Sequence, residues 1–364
     1  MSYTGADLPA GKDTPRRLFR TFFSMATIPS RDTMESGLGF EIIDIRRFEA
    51  QDFAALLEAE AGAWRDGLRW DFTSSMRVIS NCLREKRLLG YALVSGGRIH
   101  GYCFYFYDGE KGLIGDLFVE NTSATLDDAR RLLEHVVETI VATPGLRRVE
   151  AQLPHFSYEQ LEPCFHNLSF AGYRRRFMAL SLDQAALPGA VAGSGLPPSR
   201  PGDGAATEFL VVPWERRYDR EAAEVLYDTY RQHVDAAIND QYSSVAGTTR
   251  LIENIVHHQG CGEYLPKVSR VALHAASQCI AGLLAITALR PRTAHIPQIA
   301  VARPFQDRGV GTLLMASAFK ELAARGYSEI SLTVTDENQG AVRLYERLRF
   351  DTFRVFGAFV FNRS

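Results

Sequence analysis

Gln306-Asp307-Arg308-Gly309-Val310-Gly311 follows an apolar, strand-like run from Ile296 to Val301 and opens a helical pattern from Thr312 to Arg325. A strand, a glycine turn and a helix, in that order, can cradle phosphate. Gly309 and Gly311 let backbone come close to a ligand, and the unpaired N–H groups of the first helical turn, at the positive dipole end, favour a pyrophosphate. The spacing is neither the Gly-Lys-Ser/Thr loop of a P-loop nor the three-glycine dinucleotide fingerprint. Taken alone, the stretch therefore reads as a site for another nucleotide-type cofactor or as a tight turn with no ligand.

Downstream, Glu329 to Thr335 alternates as a strand and leads into Asn338-Gln339-Gly340-Ala341-Val342-Arg343-Leu344-Tyr345-Glu346-Arg347-Leu348-Arg349-Phe350. The pair of motifs, Val301-x-x-x-x-Gln306-x-x-Gly309-x-Gly311 and then Asn338-x-x-Ala341-x-x-Leu344-Tyr345-x-x-x-x-Phe350, resembles the GNAT superfamily of acyl-coenzyme A-dependent N-acyltransferases. The resemblance implies acetyl-coenzyme A or a related acyl-coenzyme A as co-substrate. It also implies that backbone of Ile299, Ala300 and Val301 pairs with the pantetheine arm, and that Gln306 and the amides of Arg308, Gly309, Val310, Gly311 and Thr312 surround the pyrophosphate. Arg349 departs from the family pattern, which has glycine before the closing phenylalanine and so an easy left-handed helix end.

The rest of the chain supplies bounds. With 364 residues, two domains are expected, and 46% hydrophobic residues furnish two cores. A net charge of −2, from Lys+Arg 41 against Asp+Glu 43, gives no field for nucleic acid or an anionic membrane. Five scattered cysteines (Cys82, Cys103, Cys164, Cys261, Cys279), never at metal or redox spacing, fit a reducing cytoplasm. Residues 1–38 hold Arg16, Arg17 and Arg20 among phenylalanines without an apolar run long enough for a signal peptide or a membrane span, and read as a leader, mobile or packed as a short arm, with organelle targeting as the alternative.

Between Asp183 and Thr207 the composition turns to Pro, Gly, Ala and Ser, the signature of a linker. On both sides of it the same element order can be read: strand, two helices, three meandering strands, helix, strand, helix, strand. The expected fold class is α/β with a mixed sheet: two tandem GNAT-like domains, each a mostly antiparallel central sheet flanked by helices. The first spans 39–183, the linker 184–207 and the acyl-coenzyme A-binding domain 208–364. After Val119 the first copy has Glu120-Asn121-Thr122-Ser123-Ala124-Thr125, with no glycine and a carboxylate expected to point into the would-be phosphate site. That copy is expected to be degenerate, serving structure or substrate shaping.

The reaction that the resemblance implies is direct attack of a primary amine, on a small molecule or a peptide, on an acyl thioester. Tyr345 matches the family's general acid, and a phenol is protonated at neutral pH; its alternative is to pack one helix face with Leu344 and Leu348. Asn338 is expected to cap its helix or touch the cofactor. His295, at the start of the strand that bears the thioester contacts, is the expected base, with Gln298 a weaker one that orients water and an exposed strand-end histidine as the plain alternative. His233, Asp235, Asp240 and Tyr242 fall in the connection that in this fold overhangs the acceptor, and otherwise are solvated loop groups, an ambiguity shared by Glu263 and Tyr264. His257 and His258 are adjacent on a helix and point apart, so no metal is expected. Two further readings stand: a non-catalytic acyl-coenzyme A-binding or scaffold protein, and a transferase of longer acyl chains. The chain is expected to act as a monomer or homodimer.

Overall fold

The computed structural model describes residues 39–182, 208–257 and 261–363. The leader and the linker expected from the sequence, and His258, lie outside the described residues. The first half runs β1 (Glu41–Asp44), α1 (Ala54–Gly67), α2 (Thr73–Arg84), β2 (Leu89–Ser95), β3 (Arg98–Asp108), β4 (Lys111–Val119), α3 (Leu126–Val141), β5 (Arg148–Gln152), α4 (Tyr158–His166) and β6 (Ala171–Ser181). The second runs β7 (Phe209–Pro213), α5 (Asp219–Tyr230), α6 (Val234–Ile238), α7 (Val245–His257), β8 (Glu263–Tyr264), β9 (Arg270–His274), β10 (Ile280–Arg290), β11 (Thr293–Val301), α8 (Val310–Ala324), β12 (Glu329–Thr335), α9 (Gln339–Arg347) and β13 (Asp351–Asn362). Apart from the short α6 and β8, the second order repeats the first. No helix among the described residues is long and apolar enough to cross a membrane.

All strands join one mixed sheet, in the order β1-β2-β3-β4-β5-β13-β6-β12-β11-β10-β9-β7, with β8 pairing β10 at the side. Pairing is antiparallel except at β4/β5 and β11/β12, where a helix connects parallel neighbours. The last strand of each half has changed places. β13 lies between β5 and β6, whereas β6 pairs with β12 from Glu329↔Ser181 to Thr335↔Arg175. The cores follow the strands, not the chain. Phe359 of β13 stacks on Phe165 at 4.1 Å inside the first-half core, and Met178, Leu180 and Leu182 belong to the second-half core under α8. The two halves thus interlock through their last strands, and a cut within 183–207 would take from each core the strand that completes it.

The helix after the glycine turn packs close to the sheet because Gly282 on β10 has no side chain. A Cβ there would meet Val310 Cγ1 at 2.9 Å and Leu314 Cδ1 at 3.0 Å. Val310, Leu314, Met315, Ala318, Phe319 and Leu322 are buried along that face and fix the position of the helix start.

Candidate active site

β11 and β12 pair through Thr293↔Glu329, Ala294↔Ile330, His295↔Ser331 and Ile296↔Leu332, and then part. Between His295 and Gln298, β11 has one residue more than β10 opposite it, a bulge at Ile296 and Pro297, and Pro297 has no N–H to give a ladder. Beyond the bulge β11 still pairs with β10, where Ala302 N–H donates to Ala281 O at 2.9 Å. By alternation along a strand the N–H groups of Ile299 and Val301 therefore face the gap towards β12. Their carbonyls confirm that direction: Ile299 O accepts from Tyr230 Oη at 2.8 Å and Val301 O from Gln306 Nε2 at 3.1 Å. Ala300, opposite Leu283 with its side chain buried in the core beside α5, is turned the other way, so of the three backbone positions expected to meet a ligand it offers no free amide.

At the mouth of this gap stands the start of α8. Gly309 is its N-cap, at φ 78°, with no capping side chain and no acidic residue in the first turn. Leu313 N–H returns to Gly309 O at 3.0 Å, which leaves the amides of Val310, Gly311 and Thr312 without helical acceptors. A Cβ on Gly311 would come only to 3.7 Å from Val301 Cγ2 and 4.0 Å from Leu344 Cδ2, so packing does not demand glycine and the space between β11 and α9 stays open. Arg308 pairs with Glu208 and lies over the rings of Phe209 and Phe305. Positive dipole, free amides and absent side chains fit a pyrophosphate-bearing group.

The first half has the same frame with its openings closed. β4 and β5 also pair over four residues and part after Ile114↔Ala151. At the start of α3, however, Thr125 Oγ1 accepts from Asp128 N–H and the Asp128 carboxylate accepts from Thr125 N–H at 2.9 Å, with Asp127 alongside. The helix end carries its own anions. Glu120 was expected to point into this phosphate site; instead Arg98 holds it at 2.7 and 2.8 Å, beside His100 and Ser123. Past the parting of the strands, Glu60, Asp116 and His155 bring ligand-type atoms within 4.8 Å of one another, a grouping the sequence spacing hides. They are packed in: Tyr102 donates to Glu60 at 2.6 Å, and Trp64 and Phe118 press on the His155 ring. Burial, reinforced by Asp116, pushes the Glu60 carboxyl well above the usual range.

Where β11 and β12 part, a cavity partly open to solvent is lined from both halves: Ile296 to Ile299, Leu332 to Val334, Asn338 and Tyr345 on one side, Tyr230, Asp235 and Tyr242 on another, and Gln152 and Arg175 from the first half. Asn338 caps α9, its side chain accepting from Ala341 N–H at 3.2 Å, and it also lines the cavity. Tyr345 is set by the other end of α9, where Phe350 N–H reaches Tyr345 O and Arg349 N–H reaches Glu346 O, each at 3.0 Å, with the Tyr345 and Phe350 rings 5.7 Å apart. This is a Schellman end, made with Arg349 at φ 69° in place of glycine. Arg349→Gly should therefore raise the unfolding free energy by roughly 1 kcal/mol, readable in denaturant melts; a loss of stability would mean that the arginine side chain outweighs its strained backbone. Burial pushes the Tyr345 phenol well above its ordinary range, so it stays protonated.

Two of the four expected acceptor-side residues line the cavity. Asp235 accepts from Thr335 Oγ1 at 2.5 Å; desolvation opposes its charge, but the His233 contact, Arg175 and Thr335 outweigh burial and hold its carboxyl below the usual value. Tyr242 stacks on Tyr230 with centroids 4.5 Å apart and donates to Gln298 Oε1 at 2.7 Å. His233 caps α6, its Nδ1 accepting Asp235 N–H at 3.2 Å while lying 3.3 Å from Asp235 Oδ2; a proton on that nitrogen would exchange the first contact for an ion pair. Asp240 is drawn away by Lys111 of β4 at 2.6 Å and ties the halves together. Glu263 and Tyr264 form β8, beside β10.

His295 does not reach the cavity. It sits before the bulge, bonded through Nδ1 to Ser331 Oγ at 2.9 Å and covered by Trp70 at 5.2 Å. Burial, helped by Arg175, lowers its pKa to about 3. An imidazole so weakly basic is poorly suited to take a proton from an ammonium. Sequence reasoning missed Arg175, Gln152 and Tyr230. The run Arg174-Arg175-Arg176 within an otherwise apolar strand was the available signal for the first.

Residues 213–350 match the acetyltransferase (GNAT) family. Among solved structures, the chain is similar to a tandem GNAT protein from the clavulanic acid biosynthesis pathway, at 16% identity and TM-score 0.56, covering 89% of this chain and 98% of that one. It is also similar to a GCN5-related N-acetyltransferase from Sphaerobacter thermophilus, at 17% identity and TM-score 0.59, covering 89% and 95%. At such identities the likeness is one of fold, and it extends over both halves. No curated protein matches the sequence.

Proposed function

We propose that the chain, whose residues 213–350 match the acetyltransferase (GNAT) family, moves an acetyl or other short acyl group from acyl-coenzyme A to a primary amine in the cleft between β11 and β12. The observation that carries this reading is the parting of β11 from β12 directly beneath the uncapped start of α8, with Tyr345 at the cavity between them. The amides of Val310, Gly311 and Thr312 hold the pyrophosphate, and the free edge at Ile299 and Val301 pairs with the arm that leads inward. The thioester supplies an activated carbonyl. The same edge N–H groups face its oxygen as charge builds there, a role worth most where water is excluded. Asp235, held ionised, binds the acceptor's ammonium and does not take its proton, which leaves towards the His233 imidazole 3.3 Å from Asp235 Oδ2. Tyr345, kept neutral by burial, donates to the departing sulfur.

Five free cysteines support a reducing, cytoplasmic setting. The test is thiol release from acetyl-coenzyme A and longer acyl-coenzyme A thioesters across a panel of primary amines. Tyr345→Phe should lower kcat by about 100-fold and leave the affinity for the thioester within roughly threefold. Tight cofactor binding without turnover on any amine would instead mark a binding or scaffold protein.

A further inference from the structure

Three consecutive arginines lie on β6, the strand of the first half that pairs with β12 of the second. Arg174 pairs with Glu159 at 2.7 Å, and Arg176 with Asp336 at 2.5 Å and Glu346 at 3.6 Å. Arg175, between them, points to the opposite face by strand alternation and lines the cavity. Among the described residues it has no carboxylate at ion-pair distance. Its Nη1 donates to the neutral Gln152 Oε1 at 2.6 Å, and its Nε is buried with no hydrogen-bond partner.

A guanidinium with a buried, unfilled donor is costly unless a ligand completes it. A guanidinium presents a planar set of N–H donors, the shape that a carboxylate matches with two parallel hydrogen bonds. Asp235 lines the same cavity, hydrogen-bonded to Thr335; Arg175 acts on it through charge but makes no hydrogen bond or ion pair with it. The wall therefore carries one cation and one anion that do not neutralise each other by contact. A zwitterion fits such a wall better than a simple amine does, because each of its charges meets the opposite one.

Resting on the acyl-transfer reading above, we propose that the acceptor is a small amine bearing its own carboxylate, of the amino-acid class, with its ammonium on Asp235 and its carboxylate on Arg175. Gln152 orients the guanidinium from β5. The first half, closed to a cofactor of its own, thus supplies the anion subsite of the acceptor site, and the pairing of β6 with β12 is what brings it there.

The test is calorimetric affinity of the full-length, coenzyme A-loaded protein for matched pairs, each an amino acid and the corresponding amine without the carboxylate, with Arg175→Gln and Arg175→Lys alongside. The wild type should bind at least one amino acid about 10- to 100-fold more tightly than its decarboxylated partner. Arg175→Gln should bring that ratio close to one, with Arg175→Lys in between. A wild-type ratio near one for every pair, or a ratio that survives Arg175→Gln because both affinities fall together, overturns the proposal. Selective binding of amino acids without acyl transfer to any of them would leave the subsite standing and remove the acyltransferase reading instead.

Discussion

Gly309→Glu is expected to weaken coenzyme A binding by at least about 100-fold, with the fold retained. Two independent costs meet at this position. Gly309 has φ 78°, and a side chain held in the left-handed region costs roughly 1–2 kcal/mol, which the folded chain can relieve only by moving the turn. The carboxylate then stands at the N-terminus of α8, where it competes with the pyrophosphate for the amides of Val310, Gly311 and Thr312 and cancels the dipole that favours an anion. Together these approach about 3 kcal/mol, a little over two powers of ten. Gly309→Asn separates them, since asparagine tolerates the left-handed conformation and carries no charge; its affinity should fall only severalfold. Calorimetric titration of both variants with coenzyme A reads the difference. Equal and small effects would mean that no phosphate approaches this helix.

The second large effect is on stability in acid. His295 is buried with its pKa lowered to about 3, whereas a histidine in an unfolded chain titrates near 6.5. Below about 6.5 the unfolded chain takes up a proton that the folded chain refuses, so stability is full above that pH and is lost as pH falls towards 3. The slope from this one residue is about 1.4 kcal/mol per pH unit, amounting to several kcal/mol by the lower end. His295→Gln can keep a hydrogen bond to Ser331 and does not titrate. Denaturant midpoints measured from about pH 4 to 7 should show the wild type losing stability relative to this variant as the acid end is approached. Parallel curves would show that His295 gains a proton in place without resistance, and would restore it as an acceptor of protons in the reaction.

The contrast between His295 and Asp235 shows what the sequence makes visible. The glycine turn, the order of strands and helices and the cap at Asn338 are local, fixed by residues a few positions apart, and the structure has them close to where periodicity and turn chemistry put them. The exchange of β6 and β13 is not local. Both read as strands with buried middles, and nothing in an alternating pattern says which neighbour a strand will take. The same limit hid Arg175 and Gln152, which reach the cavity only because of that exchange. His295 failed for a different reason: it precedes the bulge at Ile296 and Pro297, and a bulge changes which side chains reach a site while leaving the spacing in sequence intact. Glu120 was read as a charge in a site without the partner, Arg98, that lies on the neighbouring strand.

Of the two similar frames, we propose that one is open to acyl-coenzyme A and the other is closed by its own side chains. Hydrogen–deuterium exchange of the full chain with and without acetyl-coenzyme A tests it most directly. Binding at the second frame should slow exchange at the amides of Ile299 and Val301 and at Val310 to Thr312, and leave those at the start of α3, from Leu126 to Ala129, unchanged. Protection at the start of α3, or none at the start of α8 under saturating ligand, would contradict it.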